Sequence, residues 1–145
     1  MSGRRLIPTL VFAGVLMAFP ACGKKGPPAL PQRGFEARVV HLQGEWREGH
    51  VRLSGTVQAP AGAGAPVRGG RVEFGGYPLA DPPCEGCPVA FEGFQEFGPD
   101  AIQGTTLSWR APEKSHGRIL FFRVRLLGPG GAMGLVSETV RVVVP

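Results

Sequence analysis

Two cysteines separated by two residues are the part of the chain best suited to chemistry. Cys84 and Cys87 form this pair, and Pro83 and Pro88 flank it. A four-coordinate zinc site needs two further Cys or His ligands, and the chain lacks a second pair of cysteines. A redox motif of the thioredoxin type is followed by a helix that stabilises the thiolate, whereas a proline follows here. A structural disulfide is the favoured interpretation, and the zinc and redox interpretations are its alternatives.

The other titratable residues do not predict a catalytic site. His41, His50 and His116 are isolated in the sequence, and the aspartates Asp81 and Asp100 lie in Pro-rich turns. The first two histidines could face one another across neighbouring strands, although ordinary surface positions are favoured. The motifs of serine hydrolases, zinc proteases and phosphate-binding loops are missing from the sequence. We therefore expect no enzymatic activity, no cofactor and no metal site.

The third cysteine, Cys22, follows a segment with the features of a secretory signal peptide. Arg4 and Arg5 supply positive charge, residues 6–19 are apolar, and small residues precede the cysteine. The apolar run is shorter than the roughly 20 residues of a membrane-spanning helix. The sequence FPAC resembles the bacterial lipobox, whose cysteine is lipidated and becomes the mature N-terminus. This resemblance implies a signal peptide over residues 1–21 and attachment to the membrane through a lipid on Cys22.

The segment after the predicted cleavage site begins CGKKGPP. It is similar to the start of short outer-membrane lipoproteins related to LptM, which associate with the lipopolysaccharide translocon. The resemblance implies a lipid-anchored protein on the periplasmic face of the outer membrane, and Gly23 agrees with outer-membrane sorting. Pro27, Pro28 and Pro31 predict an extended tether over residues 22–34.

Residues 35–145 are left for one domain of ordinary size. The chain contains 23 Gly and 15 Pro, while 43% of its residues are apolar. This mixture favours short strands joined by many turns over a disordered chain. The net charge of +5 is too small to indicate binding to nucleic acid.

Apolar and polar residues alternate along most of the domain, as they do in a strand with one buried face. The alternation is strongest in the last two strands, which a loop over residues 128–134 connects. No helical period of ten or more residues follows the signal peptide. The seven predicted strands are residues 35–42, 51–57, 72–74, 89–97, 105–109, 120–126 and 140–144.

Seven short strands in roughly 100 residues are typical of an immunoglobulin-like sandwich. The C-terminal sequence FFRVRLLGPGGAMGLVSETVRVVV is similar to the closing strands of fibronectin type III domains, and CEGCP resembles an insertion in fibronectin-like lipoproteins of proteobacteria. The resemblance implies an all-β fold, an immunoglobulin-like or fibronectin type III-like β-sandwich. Gly55 is nearest to the place of the family's buried tryptophan, and Leu120 replaces its corner tyrosine. We therefore expect Trp46 or Trp109 to fill the core.

The final hairpin also predicts a binding face. Phe121, Arg123, Arg125 and Arg141 fall on its outward side in the predicted register. Aromatic and arginine residues are over-represented among the residues that dominate protein–protein binding energy.

Together these observations predict a membrane-anchored, periplasm-facing lipoprotein that acts as a non-catalytic binding or structural module of the cell envelope. We expect a membrane contact through the lipid and an envelope protein as partner, and the sequence indicates no small-molecule substrate. One alternative is an envelope assembly factor at the lipopolysaccharide translocon. The other is a thiol-handling accessory protein that uses Cys84 and Cys87.

Overall fold

The computed structural model describes residues 35–59, 66–111 and 116–145. Cys22, the predicted signal peptide and the predicted tether lie outside the described residues. The described part contains nine strands and two one-turn 3-10 helices, Pro99–Ala101 and Pro129–Gly131. The strands are β1 (Arg38–Arg47), β2 (His50–Gln58), β3 (Gly69–Pro78), β4 (Gly93–Phe97), β5 (Ile102–Gln103), β6 (Thr106–Arg110), β7 (Arg118–Leu127), β8 (Met133–Val136) and β9 (Val140–Val144).

The strands form two antiparallel sheets. The first sheet has the order β1-β2-β6-β5, and the second has the order β4-β3-β7, with β8 and β9 both paired to β7. In immunoglobulin-type sandwiches strands A, B, E and D form one sheet, and strands C, F and G form the other. The observed order corresponds to this arrangement, with β4 as an added edge strand. The predicted all-β sandwich is confirmed.

The core lies between the two sheets and is built from every second residue of the strands. Each large side chain removed from water there contributes about 1.5–3 kcal/mol of stabilisation. Trp46 and Trp109 are half-buried and pack against this core without filling it, so the expectation for them is wrong in part; the Trp109 ring lies 6.5 Å from that of Phe122. The largest fully buried side chains of this core are Leu53, Leu107, Leu126, Val39, Val51, Val72, Val124 and Val144.

A bulge interrupts β1 near its middle. The register of β1 against β2 shifts between Val40 and Gln43, and His41 adopts a φ of 55°. Positive φ is uncommon for a residue with a side chain, and an extra residue in one strand of a pair produces this kind of irregularity. His50 lies opposite Arg47 instead. The hypothesis that the first two histidines face one another is therefore wrong.

The last strand is divided into β8 and β9 by the short segment that contains Ser137 and Glu138. The Ser137 Oγ accepts a hydrogen bond from the Val124 N–H at 2.9 Å, and the Ser137 N–H donates to the Val124 carbonyl. The Glu138 carboxylate accepts a hydrogen bond of 2.6 Å from the N–H of Leu42, next to the bulge. The predicted loop over residues 128–134 is wrong in part, because it contains a 3-10 turn and the start of β8.

Candidate binding face

The outward side of the second sheet carries arginine, glutamate and aromatic side chains in neighbouring rows. The register places Arg71 between Glu96 and Arg125, and Glu73 between Phe94 and Arg123. Three strands therefore contribute to one surface, which we call the arginine–aromatic face. It consists of Arg71, Glu73, Phe91, Phe94, Glu96, Arg123 and Arg125.

The most exposed aromatic ring on this face belongs to Phe94 on the edge strand β4. Phe94 is 58% exposed, and the Arg71 guanidinium lies 4.0 Å from the centroid of its ring. The Arg71 Nη2 also lies 2.8 Å from a carboxylate oxygen of Glu96. An exposed cation–π contact contributes about 0.5–1 kcal/mol, and an exposed ion pair contributes little. Their main effect is to hold the guanidinium in one place beside an apolar ring that faces solvent.

A second arginine–phenylalanine pair lies beside the first. The Arg123 guanidinium is 4.0 Å from the centroid of the Phe91 ring, and its Nε donates to the Glu73 carboxylate. The other Glu73 oxygen lies 3.5 Å from the Nε of Arg125. The Glu73 side chain is only 16% exposed, so a shielded carboxylate accepts a hydrogen bond from Arg123 and lies within ion-pair distance of Arg125. Arg71 and Arg123 are therefore held by a ring and a carboxylate before any partner arrives, which reduces the entropy lost on binding.

The outward side of the first sheet is chemically different. Along β2 and β6 the register pairs Ser54 with Ser108 and Thr56 with Thr106, and all four residues are exposed. Arg52 lies opposite Arg110 on the same side, and the outward-facing pairs of these two strands contain no aromatic ring. Small hydroxyl side chains are not enriched among the residues that dominate binding energy. The two outward surfaces of the sandwich are thus unequal, and only one presents arginine next to aromatic rings along its central strands.

The segment 79–92, between β3 and β4, lies against part of the second sheet's outward side. The Glu92 N–H donates to the Phe74 carbonyl at 3.1 Å, and the Ala90 N–H donates to the Tyr77 hydroxyl at 3.2 Å. A side chain at Gly75 would overlap the Ala90 carbonyl oxygen, so this close approach requires glycine. The predicted middle strand, residues 89–97, is therefore a strand only from Gly93 onward.

The predicted cysteine pair lies in this segment. Cys84 and Cys87 are joined by a disulfide, with their Cα atoms 5.4 Å apart, which is within the usual range. The Cys87 N–H donates to the Cys84 carbonyl at 3.1 Å, and Gly86 between them adopts a φ of 79°. Both cysteines are exposed. The structure thus supports a bridge that closes a tight turn at the surface.

The four residues predicted from the final hairpin fall into two environments. Arg123 and Arg125 belong to the arginine–aromatic face. Phe121 points outward, but it is half-buried, contacts the Tyr77 ring edge-on at 5.9 Å, and lines a cavity of about 320 Å³ beneath the disulfide turn together with Arg141. The structure does not bring all four together on one open surface.

The exposed aromatic residue that the sequence did not single out is Phe94. Phe94 is exposed between the half-buried Gly93 and Gln95 on β4. Because a glycine precedes it and polar residues follow it, the alternation of apolar and polar residues is weak here and did not predict an exposed ring. The stacking of Arg71 on its ring depends on the pairing of β3 with β4, which the sequence does not specify.

The described residues do not assemble a recognisable catalytic or metal site. They contain no group of three or more His, Cys, Asp or Glu side chains placed to hold a metal ion. His116 contacts the edge of the Trp46 ring at 5.7 Å, and its Nδ1 lies 3.1 Å from the Pro145 carbonyl oxygen. No helix within the described ranges is long and apolar enough to cross a membrane.

Comparison with known proteins shows which fold the chain shares with solved structures, but it does not assign the chain to a family. No protein-family model matches the chain, and no curated protein has significant sequence similarity to it. Among solved structures, the chain is similar to a DUF3823 family protein from Bacteroides ovatus, with 14% identity, a TM-score of 0.52 and 75% of this chain covered. The chain spans 56% of the length of that protein. This likeness shows a shared fold alone.

Two structures related to fibronectin type III domains are also similar. One is the sixth fibronectin type III domain of human fibronectin type III domain containing protein 3, with 26% identity, a TM-score of 0.40, and coverage of 72% of this chain and 80% of that one. The other is an Fn3-like protein from Clostridium thermocellum, with 15% identity, a TM-score of 0.44, and coverage of 77% of this chain and 96% of that one.

Proposed function

We propose that this protein is a lipoprotein anchored to the periplasmic face of the outer membrane through Cys22, and that its sandwich is a non-catalytic module that binds an envelope protein. The binding surface in this proposal is the arginine–aromatic face. The proposal rests on the contrast between the two outward surfaces of the sandwich, because the second sheet presents arginine beside aromatic rings and the first does not. The anchor rests on the sequence around Cys22, which resembles a lipobox.

The chemistry of the face favours a protein partner. Phe94 offers an exposed apolar ring, while Arg71 and Arg123 offer guanidinium groups already held by stacking and by carboxylates. Aromatic and arginine residues at the centre of a protein interface are those whose truncation most often costs more than 2 kcal/mol of binding energy. The pre-ordered arginines lose little side-chain entropy when a partner binds.

The proposal is tested by partner capture from native membranes. The acylated protein is solubilised with its membrane, and the recovered partner is quantified for the native chain and for a variant with Phe94→Ala and Arg71→Ala. A matched control carries Thr106→Ala and Arg110→Ala on the outward side of the first sheet. Circular dichroism verifies that both variants keep the fold.

We expect the control to recover the same partner as the native chain and the face variant to recover at least about tenfold less, which corresponds to 1.4 kcal/mol of binding energy. Equal recovery by the face variant and the native chain would reject this surface as the binding site.

A thiol-handling role is the second candidate, because both bridged cysteines are exposed to solvent. A chain with Cys87→Ser keeps Cys84 as a single thiol in the turn and would trap a client as a mixed disulfide. Under the principal proposal this variant gives no client adduct on a non-reducing gel. A specific, reducible adduct would favour the second candidate.

A further inference from the structure

The described residues line an open cavity between the two sheets, at the end of the sandwich where β6 ends and β7 begins. Its volume is about 220 Å³, and three aromatic rings line it, those of Phe74, Trp109 and Phe122. Phe122 belongs to the core, and the other two rings are packed against it. The space is therefore a continuation of the apolar interior that opens at the surface.

Small residues shape the walls of the cavity. Gly93 on the edge strand lies opposite Phe74, and the Phe74 ring fills the place that a side chain at Gly93 would take. Ala111, which follows β6, is buried and also lines the cavity. Protein interiors are usually packed to a density that leaves few voids larger than a water molecule. The cavity opens at the surface, so a ligand could enter it and lie beside three aromatic rings.

Arg118 stands at the opening of the cavity. It is an exposed residue at the start of β7, paired in register with Pro78, and its Nη2 donates to the Gly76 carbonyl at 3.0 Å. None of the carboxylates in the described residues forms an ion pair with it within 4.0 Å, although Glu92 also lines the cavity. Within the described residues, the Arg118 guanidinium therefore keeps N–H donors that an anion at the opening could accept.

We propose that this cavity binds a small carboxylic acid with an apolar ring or short chain, whose apolar part lies against the aromatic rings and whose carboxylate meets Arg118. An engineered apolar cavity of about 150 Å³ accepts benzene. A cavity of about 220 Å³ has room for one ring and a short chain. This site is independent of the partner surface in the proposed function, since none of its lining residues belongs to the arginine–aromatic face.

The test uses 3-phenylpropionate as the probe and 3-phenylpropanol as its uncharged counterpart. The full-length protein is labelled with 5-fluorotryptophan and held in lipid nanodiscs, and empty nanodiscs serve as the reference for partitioning. The chain contains two tryptophans, Trp46 and Trp109, so the fluorine spectrum has two protein signals, which a Trp46→Phe variant assigns.

We expect the acid to shift the Trp109 signal saturably while the Trp46 signal stays in place. The alcohol should bind about tenfold more weakly, because it cannot form a charge-assisted hydrogen bond with Arg118. Absence of a saturable shift at Trp109, or equal shifts at both tryptophans, would overturn the proposal.

Two variants and one control locate the site and its polar end. Gln95→Phe places a ring in the cavity from β4 and should abolish the Trp109 response, whereas Thr106→Phe places the same ring on the exposed outward side of β6 and should preserve it. Arg118→Gln should reduce the affinity for the acid to that for the alcohol and leave the alcohol unchanged. Binding that survives Gln95→Phe would contradict the location, and equal weakening of both probes by Arg118→Gln would contradict the role of the carboxylate.

Discussion

Replacing Ser137 by alanine tests how the last strand of the sandwich is held in two parts. Ser137 is only 7% exposed, and its hydroxyl accepts a hydrogen bond from the N–H of Val124, a residue with 0% exposure. The same hydroxyl donates to the Glu138 carbonyl at 2.8 Å. Alanine leaves the buried Val124 N–H without this acceptor, and an unsatisfied buried donor costs about 1–3 kcal/mol. We expect a loss of about 2 kcal/mol in the free energy of unfolding.

Urea denaturation followed by tryptophan fluorescence measures this loss, and the dependence on urea should keep its slope because the buried surface is unchanged. The midpoint of thermal unfolding should fall by about 8–16 °C, since each kcal/mol shifts it by about 4–8 °C in a domain near this size. Ser54→Ala is the matched control, because Ser54 is exposed on β2, and it should change stability by less than about 0.5 kcal/mol. Equal stabilities for the two variants would refute the reasoning about Ser137.

Three further predictions concern the anchor, the bridge and the bulge. Cys22→Ala should move the protein from washed membranes to the soluble fraction, because the lipid is expected to be its anchor; processed protein that stays in membranes would contradict this. Mass spectrometry of the exported protein should find Cys84 and Cys87 protected from alkylation until a reductant is added, and their joint replacement by serine should cost about 2 kcal/mol because the closed loop is short; free thiols would contradict the bridge. Glu138→Ala should lower the free energy of unfolding by about 1–3 kcal/mol, because the Leu42 N–H loses its acceptor, and Glu138→Gln, which keeps an acceptor oxygen, should recover part of that loss in the same urea titration.

The alternation of residues along the chain was sufficient to predict the sandwich. Phe122, Val124 and Leu126 are buried on one side of β7, and Val142 and Val144 are buried on β9, as the period of two predicts. Alternation reports which side of a strand is covered by the core, and this property is local to each strand. The alternation along β2 likewise predicted that Leu53 points into the core and that its polar neighbours point outward.

Alternation could not predict features that depend on contacts between distant segments. The bulge at His41 is accompanied by a hydrogen bond from Leu42 to Glu138, two residues that are 96 positions apart. Ile119 lies on the outward side of β7 with Phe121, yet it is only 1% exposed. A period of two assigns both residues to a solvent-facing side, because it contains no information on a loop that covers that side.

The candidate binding face was predicted only in part for a related reason. Arg123 and Arg125 follow from the alternation of β7, but their common partner Glu73 depends on the register of β7 against β3. Phe94 gains its place on the face from the pairing of β3 with β4. The cavity beside Trp109 depends on how residues of β3, β4, β6 and β7 meet across the two sheets, which the alternation within each strand does not reveal.

Site-specific photo-cross-linking from the arginine–aromatic face tests the central claim most directly. Benzoylphenylalanine is introduced at Phe94 in the full-length lipoprotein in living cells, and at Thr56 on the outward side of the first sheet as the matched position. We predict that irradiation joins one envelope protein to the chain from position 94, that Arg71→Ala together with Arg123→Ala abolishes the adduct, and that position 56 gives none. An adduct from position 56 without one from position 94 would contradict the account.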